Sequence, residues 1–159
     1  MTVAAIADEI FTDLGEPSDT TEAAIVIWLR TKTGELNNLI CESFVVDRTT
    51  FEIEDADGVE INANAAAVLK QMYMVNYFAR QYKSNLTTMS NNMLISVKDN
   101  ARAVTYTNRN EIGKTILAMK AQEEVRLRQM VNAYKLKLTI PRQVIGDDSA
   151  GVNTLPSLN

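Results

Sequence analysis

The sequence predicts a mainly α fold: a small bundle of about four helices with a β-hairpin insertion and an extended C-terminal tail. Three observations carry this. Apolar residues recur at steps of three and four in successive segments, as one face of a helix requires. N-cap residues stand ahead of those segments. Two β-prone runs flank Asp99, Asn100 and Ala101, the pattern of a hairpin.

In the first segment Val3, Ile6, Ala7, Ile10 and Leu14 share a face, with Thr2 placed to cap the helix and Gly15 to end it. Glu16 to Asp19 reads as a turn. Asp19 with Glu22 three positions on has the form of a capping box, so a second helix is expected from about Thr20 to about Cys41. Its stripe is Ile25, Trp28, Leu29, Leu36, Leu39 and Ile40, with Lys32 on the same side and Gly34 inside the run. Trp28 is expected to anchor the core, and Cys41 to be a buried small hydrophobe. Phe44 to Ile53 changes to β-formers, and Phe51 to Glu54 alternates, before a turn at Asp55 to Gly58. Short extended structure is expected there, and no full sheet.

Asn62 or Asn64 can cap a third helix reaching roughly to Ser84. Leu69, Met72, Tyr73 and Asn76 lie on one side of it, and Val68, Val75, Phe78 and Tyr82 on another, so it should touch more than one neighbour. Ser84 to Asn92 reads as a polar connector, and the hairpin is expected near residues 93–107. Asn108 with Glu111 opens the longest helix, to about Lys137, on the stripe Ile112, Ile116, Met119, Leu127, Met130, Val131, Tyr134 and Leu138. At ~1.5 Å per residue it spans about 40 Å, more than one small core covers. Pro141 cannot continue a helix and closes this region. Residues 1–145 thus read as one domain, and 146–159, too poor in apolar residues to fold alone, as an extended arm.

Chemistry is constrained by what the chain contains. With no histidine among 159 residues and Cys41 the single cysteine, the commonest general base and zinc ligand are missing, and no internal disulfide forms. Gly113, Lys114 and Thr115 fall inside a helix and lack the glycine a phosphate loop needs. Asp55, Asp57 and Gly58 resemble the start of a calcium loop, but Asn64 stands where the closing acid belongs. The expectation is a protein that is not an enzyme and needs no cofactor. No run approaches the ~20 apolar residues of a membrane span, and the acidic first ten residues do not resemble a targeting signal, so synthesis in a cytosol-like compartment is expected.

Charge is unevenly divided. Residues 1–62 hold 14 acidic and 3 basic side chains, and residues 63–145 hold 4 acidic and 13 basic. The split fits copies associating through unlike halves, a basic half facing a polyanion, or two solvated faces. Lys98, Arg102 and Arg109 gather at the hairpin, where they suit DNA phosphates or a charged rim that protects strand edges.

Several segments carry a resemblance: Ile6-Ala7-Asp8-Glu9-Ile10-Phe11, Leu14-Gly15-Glu16-Pro17-Ser18-Asp19, Trp28-Leu29-Arg30 and Gly34-Glu35-Leu36-Asn37-Asn38-Leu39-Ile40. Asn110-Glu111-Ile112, Val131-Asn132-Ala133-Tyr134-Lys135 and Pro141-Arg142-Gln143-Val144 extend it. In pattern these resemble the head–tail connector (adaptor or head-completion) proteins of tailed bacteriophages. The resemblance implies a virion protein that forms a ring, commonly of twelve copies, at the phage neck. Such a ring joins the portal protein to the next neck or tail protein and continues the DNA channel, close to packaged DNA and away from any membrane. It implies a portal- or partner-binding role for Pro141, Arg142, Val144, Ile145, Leu155 and Leu158. Lys98, Asn100, Arg102 and Arg109 would contact the channel or the next ring. The alternatives are a tail terminator or stopper, and a small nucleic-acid-binding regulator; a pI near 4.9 speaks against the regulator.

Overall fold

The computed structural model describes residues 1–91, 96–99, 102–105 and 109–139, with side chains for residues 1–87 and 111–139. Among the described residues the order is α1 (Val3–Asp13), α2 (Glu22–Ile40), β1 (Val45–Val46), β2 (Ile53–Glu54), α3 (Ala63–Asn91), β3 (Ser96–Asp99), β4 (Arg102–Thr105) and α4 (Arg109–Thr139). The mainly helical class with a two-stranded hairpin matches the sequence expectation. The tail at 146–159 lies outside the described residues.

Local chemistry sets the helix ends. Thr2 Oγ1 accepts the Ala5 N–H at 3.3 Å, and the Glu52 carboxylate accepts the Val3 N–H at 2.6 Å, so two of the unpaired donors at the start of α1 are met. At its other end Gly15 takes φ 74°. The Gly15 N–H bonds the Thr12 carbonyl at 2.9 Å and the Glu16 N–H bonds that of Phe11 at 3.0 Å, which is a Schellman closure. Helix α2 is capped by Thr21, whose hydroxyl accepts the Ala24 N–H at 3.3 Å, and not by Asp19 as the capping-box spacing suggested. Thr21 stands directly before the first helical residue in extended conformation, while the Asp19 carboxylate accepts from Gln81 on α3 at 2.6 Å.

Two further expectations are corrected. Cys41 is exposed: α2 ends at Ile40, and Cys41 adopts the left-handed C-cap conformation, φ 61° and ψ 43°, off the apolar stripe. Residues 84–91 are helical, so the expected connector is the last part of α3. That stretch holds no glycine or proline, and Thr87 Oγ1 donates to the Lys83 carbonyl one turn back at 3.0 Å. Low charge and polarity therefore mark a solvated helix here and not a break.

The core gathers at one end. Val3, Ile6 and Ile10 of α1, Ile25, Leu29, Leu36 and Ile40 of α2, and Leu69 and Tyr73 of α3 are buried together with Phe44, Ile53 and Ile61. Trp28 is half-buried at its edge, its ring 5.0 Å from that of Tyr73 in an edge-on arrangement. Between the first two helices and α3, the short ribbon pairs Val45 with Glu54 and Val46 with Ile53.

Helices α3 and α4 run antiparallel. Asn62 Nδ2 donates to the Tyr134 hydroxyl at 3.3 Å. Gln71 Nε2 donates to the Glu123 carbonyl at 3.1 Å. Asn85 Oδ1 lies 3.7 Å from where a Cβ on Gly113 would stand. Numbers rise on α3 as they fall on α4, so the pair is held over about 35 Å. Helices α1 and α2 cover its base, and between Tyr73 and Val131 Gly113 is the one described residue that is buried. The hairpin is inserted between these two helices, with Lys98 opposite Ala103 and Asp99 opposite Arg102.

Gly34 sits inside α2, and a Cβ there would meet nothing within 4 Å. Gly34→Ala should therefore stabilise the fold by about 1 kcal/mol, read as a higher midpoint in chemical denaturation with an unchanged slope.

Candidate functional site

Among the described residues no three His, Cys, Asp or Glu side chains gather in a way that could hold a metal ion. Asp55 and Asp57 belong to a turn: Asp55 Oδ1 accepts the N–H groups of Asp57 at 2.9 Å and Val59 at 3.0 Å, so one of its oxygens is already engaged. Gly113, Lys114 and Thr115 lie within α4, and Thr115 Oγ1 donates to the Glu111 carbonyl at 2.9 Å. A shallow, open depression of about 380 Å³ lies between Leu39 of α2 and Leu127, Arg128 and Val131 of α4. No helix among the described residues is long and apolar enough to cross a membrane.

What the molecule offers instead is surface. Of the stripe expected on α4, Val131 and Tyr134 are buried, Ile116, Leu127 and Met130 are half-buried, and Ile112, Met119 and Leu138 are exposed. Glu123, which interrupts that stripe, is taken up by Gln71, whose Nε2 donates to its carboxylate at 2.5 Å. The stripe thus packs on the core through its last turns alone.

A second apolar set was not legible as a face. Leu117, Val125 and Leu136 are exposed, Val125 at 52% and Leu136 at 65%. Val125 and Leu136 fall roughly opposite Tyr134 at about 3.6 residues per turn, on the side of α4 turned away from α3. Ala118, Ala121, Lys114, Arg128 and Lys135 share that broad outer side, with Glu111 at its edge. The signal was present as leucine and valine off the main stripe, but scattered surface hydrophobes are ordinary in single chains.

The segment 42–60 exposes a third set. Val45, Phe51 and Val59 are exposed, at 58%, 52% and 59%, among seven acidic residues and a single basic one, Arg48. Phe51 takes φ 59°, a conformation that bulky side chains rarely adopt. It is held there by the Asp47 turn, whose carbonyl accepts the Phe51 N–H at 3.1 Å, and by Arg30, whose Nε donates to the Phe51 carbonyl at 2.8 Å. The Arg30 guanidinium lies 5.2 Å from the centre of the Phe51 ring. The N–H groups of Thr50 and Thr49 hold the Asp47 carboxyl below its ordinary pKa.

The residues expected to grip a partner, Pro141, Arg142, Val144, Ile145, Leu155 and Leu158, lie outside the described residues, as does Asn100. Lys98 and Arg102 fall in β3 and β4, and Arg109 opens α4; their side chains are likewise outside the description. Comparison with protein-family models, curated proteins and solved structures finds no match to this chain.

Tyr134 fastens α4 to the base, accepting from Asn62 and donating to the Glu42 carboxylate at 3.0 Å. Tyr134→Phe should cost about 1 kcal/mol in chemical denaturation, since it removes both bonds and leaves the half-buried Glu42 carboxylate without its donor. Burial raises the pKa of Tyr134, and a donated bond from Asn62 only partly offsets it; burial also raises Tyr73. A phenol whose folded pKa is raised contributes stability that is complete below its unfolded value of about 10 and is lost as pH climbs through the folded one. Stability should accordingly hold up to about pH 10 and fall above it, with the tyrosinate absorbance of these two rings appearing later than that of free tyrosine.

Proposed function

We propose that this chain is a structural assembly protein of the phage neck, a connector subunit that forms a ring between the portal and the next neck or tail protein. The observation that carries the reading is the two-helix arm. Outside the core it exposes Ile112, Leu117, Met119, Val125, Leu136 and Leu138 along one helix, apolar side chains that contacts with neighbouring subunits would cover. An arm of this length, bearing a hairpin between its helices, suits contacts with neighbouring subunits better than it suits a pocket for a small molecule. The sequence resemblance supplies the particular setting: a virion protein, made in the host cytoplasm and joined to a portal, with the DNA channel running through its ring. In that setting Pro141 to Ile145, with Leu155 and Leu158, engage the portal or a neighbouring copy, and the hairpin with Lys98, Asn100, Arg102 and Arg109 meets the next ring or the channel.

The nucleic-acid-binding alternative has one observation in its favour, the basic side chains on the outer side of α4. Any such contact is to phosphate and therefore strongly dependent on salt.

Light scattering of the purified chain, followed by negative-stain imaging with and without portal assemblies, tests the connector reading. A ring, or a monomer that becomes a ring on the portal, is the expected result. A chain that stays monomeric and ignores the portal overturns it, and tight binding of free DNA by that monomer would establish the alternative.

A further inference from the structure

We infer that the outer face of α4 is the docking site for the 42–60 segment of a second copy of this chain, with Phe51 as the anchor residue. The inference rests on the ring-forming reading and deepens it by naming both sides of the contact.

The α4 side is a helix face left uncovered among the described residues. Leu117, Ala121, Val125 and Leu136 run along it, all exposed, and its charged members Lys114, Arg128 and Lys135 are basic, with the acidic Glu111 at one end and Glu124, paired with Lys120 at 2.9 Å, at its edge. The other side is of opposite charge and similar apolar content. Between residues 42 and 60 seven acids stand against Arg48 alone, around the exposed Val45, Phe51 and Val59. Not all of these acids are free: Glu42 is bonded to Tyr134 and Glu52 to the Val3 N–H. Glu60 is paired with the Met1 ammonium at 2.6 Å, and one oxygen of Asp55 is taken by the Asp57 and Val59 N–H groups. Glu54, Asp57 and the second oxygen of Asp55 are left to face a basic partner. Unlike charges around an apolar centre steer two surfaces together, and the centre supplies most of the affinity.

Neither surface can pair with itself, because each is dominated by one sign of charge. The two occupy different parts of the chain, so a copy that docks by one keeps the other free. The contact is heterologous, and its repetition builds a closed ring or an open chain of subunits. Phe51 suits the role of anchor. Its ring is fixed by the Asp47 turn and by Arg30, so little conformational freedom is lost when it docks.

Two substitutions test this without disturbing the fold. Phe51→Gly removes the anchor at a position whose φ of 59° favours glycine, and Val125→Glu puts a carboxylate on the exposed face of α4. Sedimentation analysis of the wild-type chain at rising concentration should show association that weakens as salt rises from about 0.05 M to about 0.5 M. Each variant should be at least about tenfold weaker in self-association, with a thermal midpoint equal to that of the wild-type chain, or higher for Phe51→Gly. Mixed one to one, the two variants should form a dimer and stop there. The intact α4 face of Phe51→Gly meets the intact 42–60 segment of Val125→Glu, and neither product can extend.

Association that survives both substitutions, or a mixture that stays monomeric, overturns the inference. Rings that persist in both variants show that the ring reading stands and that the contact lies elsewhere. A wild-type chain that is monomeric at every concentration and salt overturns the inference, and imaging with the portal then decides the ring reading by itself.

Discussion

Helix α3 has to bury two faces at once, and the rest of the fold is arranged around that requirement. Ala65, Ala66, Leu69, Met72 and Tyr73 are buried, largely on the side that meets α1 and α2, while Gln71 and Asn85 reach α4 on the other side. Apolar burial is worth roughly 25 cal/mol per Å², so a helix that fills two interfaces contributes a far larger share of the stability than its length suggests. It also fixes direction. Because the core-facing side of α3 turns polar at Asn76, Arg80 and Lys83, α1 and α2 have no reason to follow it further, and the remaining turns are left to α4 alone.

Polar contacts locate the pieces around this helix. Lys70 sits between α1 and α3 with Asp13 at 2.6 Å and Glu9 at 3.4 Å. Partial burial pulls its pKa down, but the two carboxylates more than offset this and hold it above the ordinary lysine value. The Asn37 side chain spans the end of α2 and the start of the ribbon, donating to the Phe44 carbonyl at 2.7 Å and accepting its N–H at 3.0 Å. The ribbon is too short to stand by itself; Asn37, Glu52 and the buried Ile53 tie it to the helices. Segment 42–60 is thereby a rigid platform, which is what an exposed aromatic needs if it is to serve as an anchor.

The helices were legible where chemistry is local. The faces of α1 and α2, the Asn62 cap, the turn at Asp55 and the hairpin around Asn100 all follow from spacing and cap residues. The Asn62 cap is one bond, from the Ala65 N–H to its Oδ1 at 2.9 Å. What was not legible depends on partners far along the chain. Ser84 to Asn91 reads as a connector until α4 is laid against it, and Cys41 reads as buried until the left-handed cap turns it outward. Asp19 matches a capping box by spacing, yet it is drawn to Gln81, 62 residues later. The candidate surfaces were the least legible. Periodicity marks which residues share a helical side, but it does not say whether a neighbour covers that side, and for Leu117, Val125 and Leu136 none does among the described residues.

That uncovered side, set against the division of charge, constrains how copies of the chain can meet. In a two-fold contact the same patch faces itself, so an acidic 42–60 segment would oppose another and a basic α4 face another, each with like charges at short range. Salt would relieve the repulsion without creating an attraction. A head-to-tail contact opposes unlike charges at every repeat and leaves one free face of each sign at the ends of an open assembly. Closing the assembly satisfies those two faces with no further ordering of new surface, so a ring is favoured over a filament whenever the rotation between neighbours allows closure. In the proposed assembly the charge division noted in the sequence would select the polarity of the contact, while the apolar residues of α4 and Phe51 would set its strength.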